Sequence, residues 1–253
     1  MEKNITNLKT LDSFIFIHDQ EILVDFLNKN RFHDLENFKW VFLGSRPVDK
    51  IVHLENLIIA RDLPINIEQY PKFTSLTGWY ALYKNGFLKT DYVNLFEYDI
   101  SYIKGFVDIN KEMLKRDFDF IGYFPMVVSD VVYIRESQYS IELTNAIKSK
   151  TGVDVVEMIN KMSPNAYWSS SSNSTWKVDK LKNYLDWFEQ FIDDIKESKF
   201  CGHMHERSLS FYYFIANLKV QLQKNLMIHV QLNSHGTSPL PPERAKQMYN
   251  LLK

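Results

Sequence analysis

Two carboxylates stand two residues apart in Leu95-Phe96-Glu97-Tyr98-Asp99-Ile100, directly after the apolar run Tyr92-Val93-Asn94-Leu95-Phe96. That run has the composition of a buried strand. Acidic groups at i and i+2 of an extended segment point the same way, so they suit a hard divalent cation shared with phosphate oxygens. An acidic-x-acidic triplet is common by chance in a chain with 31 Asp and Glu, so its surroundings have to raise it. Two further clusters could contribute. Phe200-Cys201-Gly202-His203-Met204-His205-Glu206-Arg207 opens a helical pattern running through Phe211, Phe214, Ile215, Leu218 and Leu222. Near a helix N-terminus Glu206 is favoured as an anion and can take a proton only from a strongly polarised group. A capping bond for Glu206 and a salt bridge for Arg207 explain the same residues without chemistry. His235 lies beyond the apolar run Leu226–Val230, next to Gly236, where it could complete a metal site; an isolated histidine there is more often a surface residue.

The elements that must position these groups alternate between strand and helix. Phe14–Ile17 reads as a first strand ending at His18-Asp19-Gln20, and Glu21 to Phe32 carries Ile22, Leu23, Phe26 and Leu27 at helical spacing. Trp40–Leu43 is a second strand, stopped by Gly44-Ser45-Arg46-Pro47. Asn56–Ala60 is a short third strand, Leu76–Tyr83 a helix ended near Gly86, and Tyr92–Phe96 the strand of the triplet. Further strands are expected at Phe118–Gly122 and Val127–Ile134, and helices at Ile141–Lys148 and Val153–Met162. Trp168 to Trp176 encloses a run of serines, whose composition fits a flexible linker and a loop over a pocket equally. Val178, Leu181, Leu185, Phe188, Ile192 and Ile195 predict one amphipathic packing helix. The pattern is that of an α/β sheet, in which ligands sit at the carboxyl ends of strands.

Thirty basic against thirty-one acidic residues give a net charge of −1, without the electrostatic footprint of general nucleic-acid binding. At 253 residues and 45% apolar content the chain predicts one domain with a large core. Cys201 is the only cysteine, which excludes an intrachain disulfide and a four-cysteine zinc site. No apolar leader or spanning segment is apparent, so a cytoplasmic location is expected, that of a host cell if the protein is viral.

With these pieces assembled, the chain resembles nucleotide-sugar glycosyltransferases of the GT-A fold, particularly small viral and bacterial members such as the amino-terminal domain of a large chlorovirus protein. The resemblance implies a single α/β domain with a Rossmann-like mixed sheet flanked by helices, its nucleotide-binding half about 1–100 and its acceptor-binding half about 101–253. Glu97-Tyr98-Asp99 looks like a variant of the family's Asp-x-Asp motif, with Glu at the first place, and His235 like its carboxy-terminal metal ligand. The resemblance thus implies Mn²⁺ or Mg²⁺ held by Asp99, His235 and Glu97. Mn²⁺ tolerates the imidazole better. His18, Asp19, Arg46 and Asp49, with Tyr98, Trp168 and Ser170, are the expected donor-binding residues, Arg46 being suited to phosphate. Glu206 is the expected base if the anomeric centre inverts, or an acceptor-positioning group if it is retained, with His205 and Arg207 beside the acceptor. The partners implied are a nucleoside-diphosphate sugar, UDP-linked by preference, and a glycan or other hydroxyl acceptor.

Rival readings use the same residues. A metal-dependent hydrolase would gather Glu97, Asp99, His203, His205 and His235, yet His203 and His205 diverge at a helix start. A glycoside hydrolase would use Glu97 and Glu206 at a separation the sequence does not supply. A non-catalytic sugar- or protein-binding module would use the aromatics, most of which a core consumes.

Overall fold

The computed structural model describes residues 9–29, 38–102, 105–127, 140–162, 167–169, 171–224 and 226–229. In chain order these form β1 (Leu11–Ile17), α1 (Gln20–Lys29), β2 (Lys39–Phe42), β3 (Leu57–Ile59), α2 (Ser75–Lys84), β4 (Tyr92–Glu97), β5 (Ile100–Tyr102), α3 (Phe106–Leu114), β6 (Phe120–Gly122) and β7 (Pro125–Val127). There follow α4 (Ile141–Thr151), α5 (Val155–Asn160), β8 (Tyr167–Ser169), β9 (Ser174–Lys177), α6 (Val178–Glu189), α7 (Ile192–Ile195), α8 (Cys201–Ile215), β10 (Val220–Leu222) and β11 (Met227–His229).

Seven of these strands make one mixed sheet in the order β10-β6-β9-β4-β1-β2-β3. β1 is parallel to β2 and β4, β2 to β3, and β6 to β10, while β9 runs antiparallel between β4 and β6. Buried on both faces, the central strands read as continuous apolar runs, and their alternate residues serve two cores. Phe14, Phe16, Val93 and Leu95 join the core that packs α2, α4, α6 and α8. Ile15, Ile17, Tyr92 and Phe96 face the other core, with Leu23 of α1 and Phe106, Met113 and Leu114 of α3. The fold is thus the expected α/β class with a Rossmann-like sheet between helical layers.

Several local expectations differ from what is observed. The serine run is buried and leads into β9: Ser171, Ser172, Asn173, Ser174 and Thr175 are all less than 5% exposed. Their polarity hid β9, yet each is accommodated by bonds such as Thr175 Oγ1 to Asn94 Oδ1 (2.5 Å) and Trp176 Nε1 to Ser174 Oγ (3.0 Å). The stripe from Val178 to Ile195 breaks into α6 and α7, and α3 follows the triplet where no helix was expected. α8 stops at Ile215 because Asn217 adopts a left-handed φ of 49°, and the apolar residues beyond it form β10. The expected strand Val127–Ile134 is described only through β7, and the remainder lies outside the described residues.

α8 also corrects one site expectation. His205 is fully buried, its ring 4.8 Å from Trp79, 5.9 Å from Phe188 and 6.2 Å from Tyr184. It presents no surface to an acceptor, and neither ring nitrogen has a hydrogen-bond partner among the described residues. Burial pulls its pKa down to about 3.

Two stability predictions follow from this packing. A methyl group on Gly78 of α2 would lie 2.6 and 2.7 Å from Phe16 ring carbons and 2.8 Å from Leu43 Cδ2. Such overpacking costs about 1–3 kcal/mol, against about 1 kcal/mol of helix propensity gained by Ala, so Gly78→Ala lowers the urea midpoint; an unchanged or raised midpoint contradicts this contact. For His205, the native ring stays neutral while the unfolded chain takes up a proton near pH 6.5. Its contribution is therefore complete above about pH 6.5 and is lost as pH falls toward about 3, at about 1.4 kcal/mol per pH unit. His205→Phe should flatten unfolding free energy against pH by that slope between about pH 6.5 and 4.5; equal slopes in both proteins would reject a buried neutral imidazole.

Candidate functional site at the carboxyl ends of β1 and β4

The strand order reverses between β1 and β4: β2 and β3 lie to one side of β1 and β4 to the other. In a parallel sheet such a reversal leaves a crevice outside the carboxyl ends, because the connecting segments depart to opposite sides. The register pairs Phe16 with Glu97, and the Tyr98 N–H donates to the Phe16 carbonyl at 3.2 Å. His18, leaving β1, meets Tyr98 edge to face at 5.1 Å between ring centroids. Two of the expected donor residues thus adjoin at the reversal.

The turn after β2 supplies the next wall. Arg46 ion-pairs with Asp19, an exposed contact worth at most about 1 kcal/mol. Buried Gln20 donates to Asp49 Oδ1 at 3.1 Å and accepts from the Lys50 N–H at 3.0 Å, so Asp49 braces the turn. Two residues not foreseen from sequence hold the same turn. Arg61 Nη1 donates to the carbonyls of Gly44 and Arg46, each at 2.8 Å, and Glu68 accepts the Gly44 N–H at 2.5 Å. Both come from an irregular stretch without periodicity, so only the Gly44-Ser45-Arg46-Pro47 turn marked the place.

The acidic triplet is joined to α8 through the start of α2. Thr74 has φ 53° and ψ −128°, a strained conformation for a β-branched residue, and it turns the chain so that Ser75 Oγ donates to Glu97 Oε1 at 2.9 Å. Gly202 in the first turn of α8 abuts Thr74: a Cβ there would lie 3.0 Å from Thr74 Cγ2 and 3.2 Å from the Lys72 carbonyl. One turn further along α8, Glu206 and Arg207 form an ion pair at 3.2 Å with side chains only 28% and 17% exposed. Burial, and secondarily the Arg207 charge, lowers the His203 pKa.

Trp168 is fully buried, 5.4 Å edge to face from Phe211, so its indole serves the core and offers no donor surface. Ser170 and His235 lie outside the described residues. β11 does return to the triplet, however: it pairs antiparallel with β5, His229 opposite Ile100, immediately after Asp99. Among the described residues no three His, Cys, Asp or Glu side chains form a cation cage. β4 ends at Glu97 and the chain turns at Tyr98 and Asp99, so the two carboxylates do not share one extended segment as the sequence suggested.

No family model matches the chain, and no curated protein matches it. Among solved structures, the apo form of WbbM, a bifunctional glycosyltransferase, aligns with a TM-score of 0.61 at 13% sequence identity. The match covers 88% of this chain and 46% of that one, so the chain spans less than half the length of its structural neighbour. At this identity the likeness establishes the fold, a GT-A-like α/β domain, and does not extend to the viral domain named from the sequence.

Proposed function

We propose that the protein is a metal-dependent glycosyltransferase that moves a sugar from a nucleoside diphosphate, UDP by preference, to a hydroxyl acceptor. The observation that supports this reading is that the acidic end of β4, at the strand-order reversal, is linked through the Ser75–Glu97 bond and Thr74 to Gly202 in the first turn of α8, the helix that carries the Glu206–Arg207 pair. The likeness to a bifunctional glycosyltransferase fold supports it.

In this reading His18 and Tyr98 line the nucleotide end of the crevice, and Arg46 stands ready to exchange Asp19 for a phosphate oxygen, a charge-assisted contact. Asp99, with His235, would hold Mn²⁺ or Mg²⁺. When bound, the ion neutralises the charge that develops on the departing diphosphate. Glu206, paired with Arg207 just beyond the first turn of α8, would accept the acceptor hydroxyl proton if the reaction inverts, or orient that hydroxyl if configuration is retained. Arg207 holds the carboxylate on its acceptor side. A hydrolytic metal site built on His203 and His205 is disfavoured because the His205 ring lies in the core.

Ligand binding to the native state must raise thermal stability. UDP with Mn²⁺ should therefore raise the melting midpoint by several degrees at saturation, corresponding to about 3 kcal/mol at a hundredfold excess over Kd. Asp99→Ala should abolish that shift, whereas indifference of the wild type to every nucleoside diphosphate would rule the proposal out. Glu206→Gln should reduce transfer about 10²-fold or more while UDP binding is retained; parallel loss of binding would remove Glu206 from the role of base.

A further inference from the structure

Glu97 is tied into the fold through both its side chain and its backbone N–H. Its Oε1 accepts hydrogen bonds from the Ser75 hydroxyl at 2.9 Å and from the Ser172 hydroxyl, and its N–H donates to Asn173 Oδ1 at 2.8 Å. Asn173 is itself fixed, its backbone N–H and Nδ2 both donating to Ser171 Oγ at 3.1 and 2.9 Å. Ser75, Ser171, Ser172 and Asn173 are all less than 5% exposed, so these hydroxyls are withdrawn from any bound ligand. The β4–β9 register ends at Leu95 opposite Ser174, and Glu97 lies two residues beyond it. Side-chain bonds there replace the strand ladder, tying the end of β4 to the start of α2 and to the segment entering β9.

We propose that Glu97 is a positioning residue: its acceptor oxygen latches α2 and the serine segment onto β4, and Asp99 is the carboxylate of the triplet that meets the cation. A carboxylate oxygen offers two lone pairs, and both at Oε1 are committed to the Ser75 and Ser172 hydroxyls, so any other partner of this carboxylate has to take Oε2. What the site uses at position 97 is hydrogen-bond acceptance, a property Gln shares, rather than negative charge, which Gln lacks. The latch sets the Thr74–Ser75 turn, and through the Thr74–Gly202 contact it sets the start of α8 against the crevice. This rests on the transferase reading, since it assigns a role relative to that cation and donor.

The test is calorimetric titration of UDP into wild type, Glu97→Gln, Glu97→Ala and Asp99→Asn, with Mn²⁺ and with EDTA, together with melting midpoints of the unliganded proteins. Expected is that Glu97→Gln keeps Mn²⁺-supported binding and nearly the wild-type midpoint, while Glu97→Ala loses midpoint and affinity together. Asp99→Asn should keep its midpoint and lose the Mn²⁺-dependent part of binding, by more than about tenfold. If Glu97→Gln loses Mn²⁺ dependence as fully as Asp99→Asn while the wild type binds, Glu97 is a ligand and the latch role is overturned. If the wild type shows no Mn²⁺-dependent binding of any nucleoside diphosphate, it is the transferase reading that fails, and the positioning role with it. Should Glu97→Gln not fold, Ser75→Ala/Ser172→Ala decides: a lowered midpoint and weakened UDP binding support the latch, and wild-type values for both overturn it.

Discussion

A polar antiparallel strand lies between β4 and β6, and the sheet holds only because that strand's hydrogen-bonding groups are paired as they are buried. Thr175 of β9 donates to Asn94 of β4 at 2.5 Å, Asn94 donates to Ser13 of β1 at 2.9 Å, and the Thr175 and Tyr123 hydroxyls are 2.6 Å apart. Asn110 of α3 donates to Tyr123 at 2.5 Å and to Thr175 at 3.2 Å. This chain crosses from β1 to α3 inside the protein, and burial pushes the Tyr123 phenol far above its ordinary pKa, so it remains a neutral donor. Unpaired, each of these groups would cost about 1–3 kcal/mol. Paired, they fix the register between the parallel β1–β4 half of the sheet and the parallel β6–β10 pair, across antiparallel β9.

That same requirement divides what could be read from the sequence from what could not. β1, β2 and β4 are buried on both faces and announce themselves as apolar runs, and α2 and α8 start where their patterns place them. β9 could not be found this way, because Thr175 gains its place through an acceptor, Asn94 Oδ1, that lies 81 positions away, while the Ser174 hydroxyl is satisfied by the Ser172 carbonyl. β10 was absorbed into a helix because its apolar residues continue the α8 spacing, and only the left-handed conformation at Asn217 separates them. Local periodicity reports burial of apolar surface. It is silent about polar groups that a distant partner makes cheap to bury.

The candidate site shows the same division. That His18, Asp19, Arg46, Glu97 and Tyr98 fall at one edge of the sheet was legible because strand ends in a parallel sheet must converge there, and a strand end can be located from composition. Trp168 and His205 were misplaced because each stands beside chemically suggestive neighbours. On a helix, adjacent residues face about 100° apart, so Glu206 and Arg207 can border a crevice while His205 enters the core. The residues that anchor the crevice, Ser75, Ser172, Asn173, Arg61 and Glu68, carry no spacing that distinguishes them from ordinary turn residues.

Thr74 then gains a meaning that its sequence position does not suggest. A β-branched residue at φ 53° and ψ −128° costs of order 1–3 kcal/mol and persists only where its surroundings over-determine it. Here the surroundings do: Gly202 allows α8 to press against it, its carbonyl accepts from the Thr77 hydroxyl at 3.0 Å, and the next residue is held by Glu97. A larger residue at position 202 would push α8 outward and carry Glu206 and Arg207 with it. A relaxed backbone at position 74 would turn the Ser75 hydroxyl from the end of β4. The spacing between the acidic strand end and the Glu206–Arg207 pair is therefore set by a contact in which one partner is strained and the other has no side chain, and neither partner itself supplies a charge to the crevice.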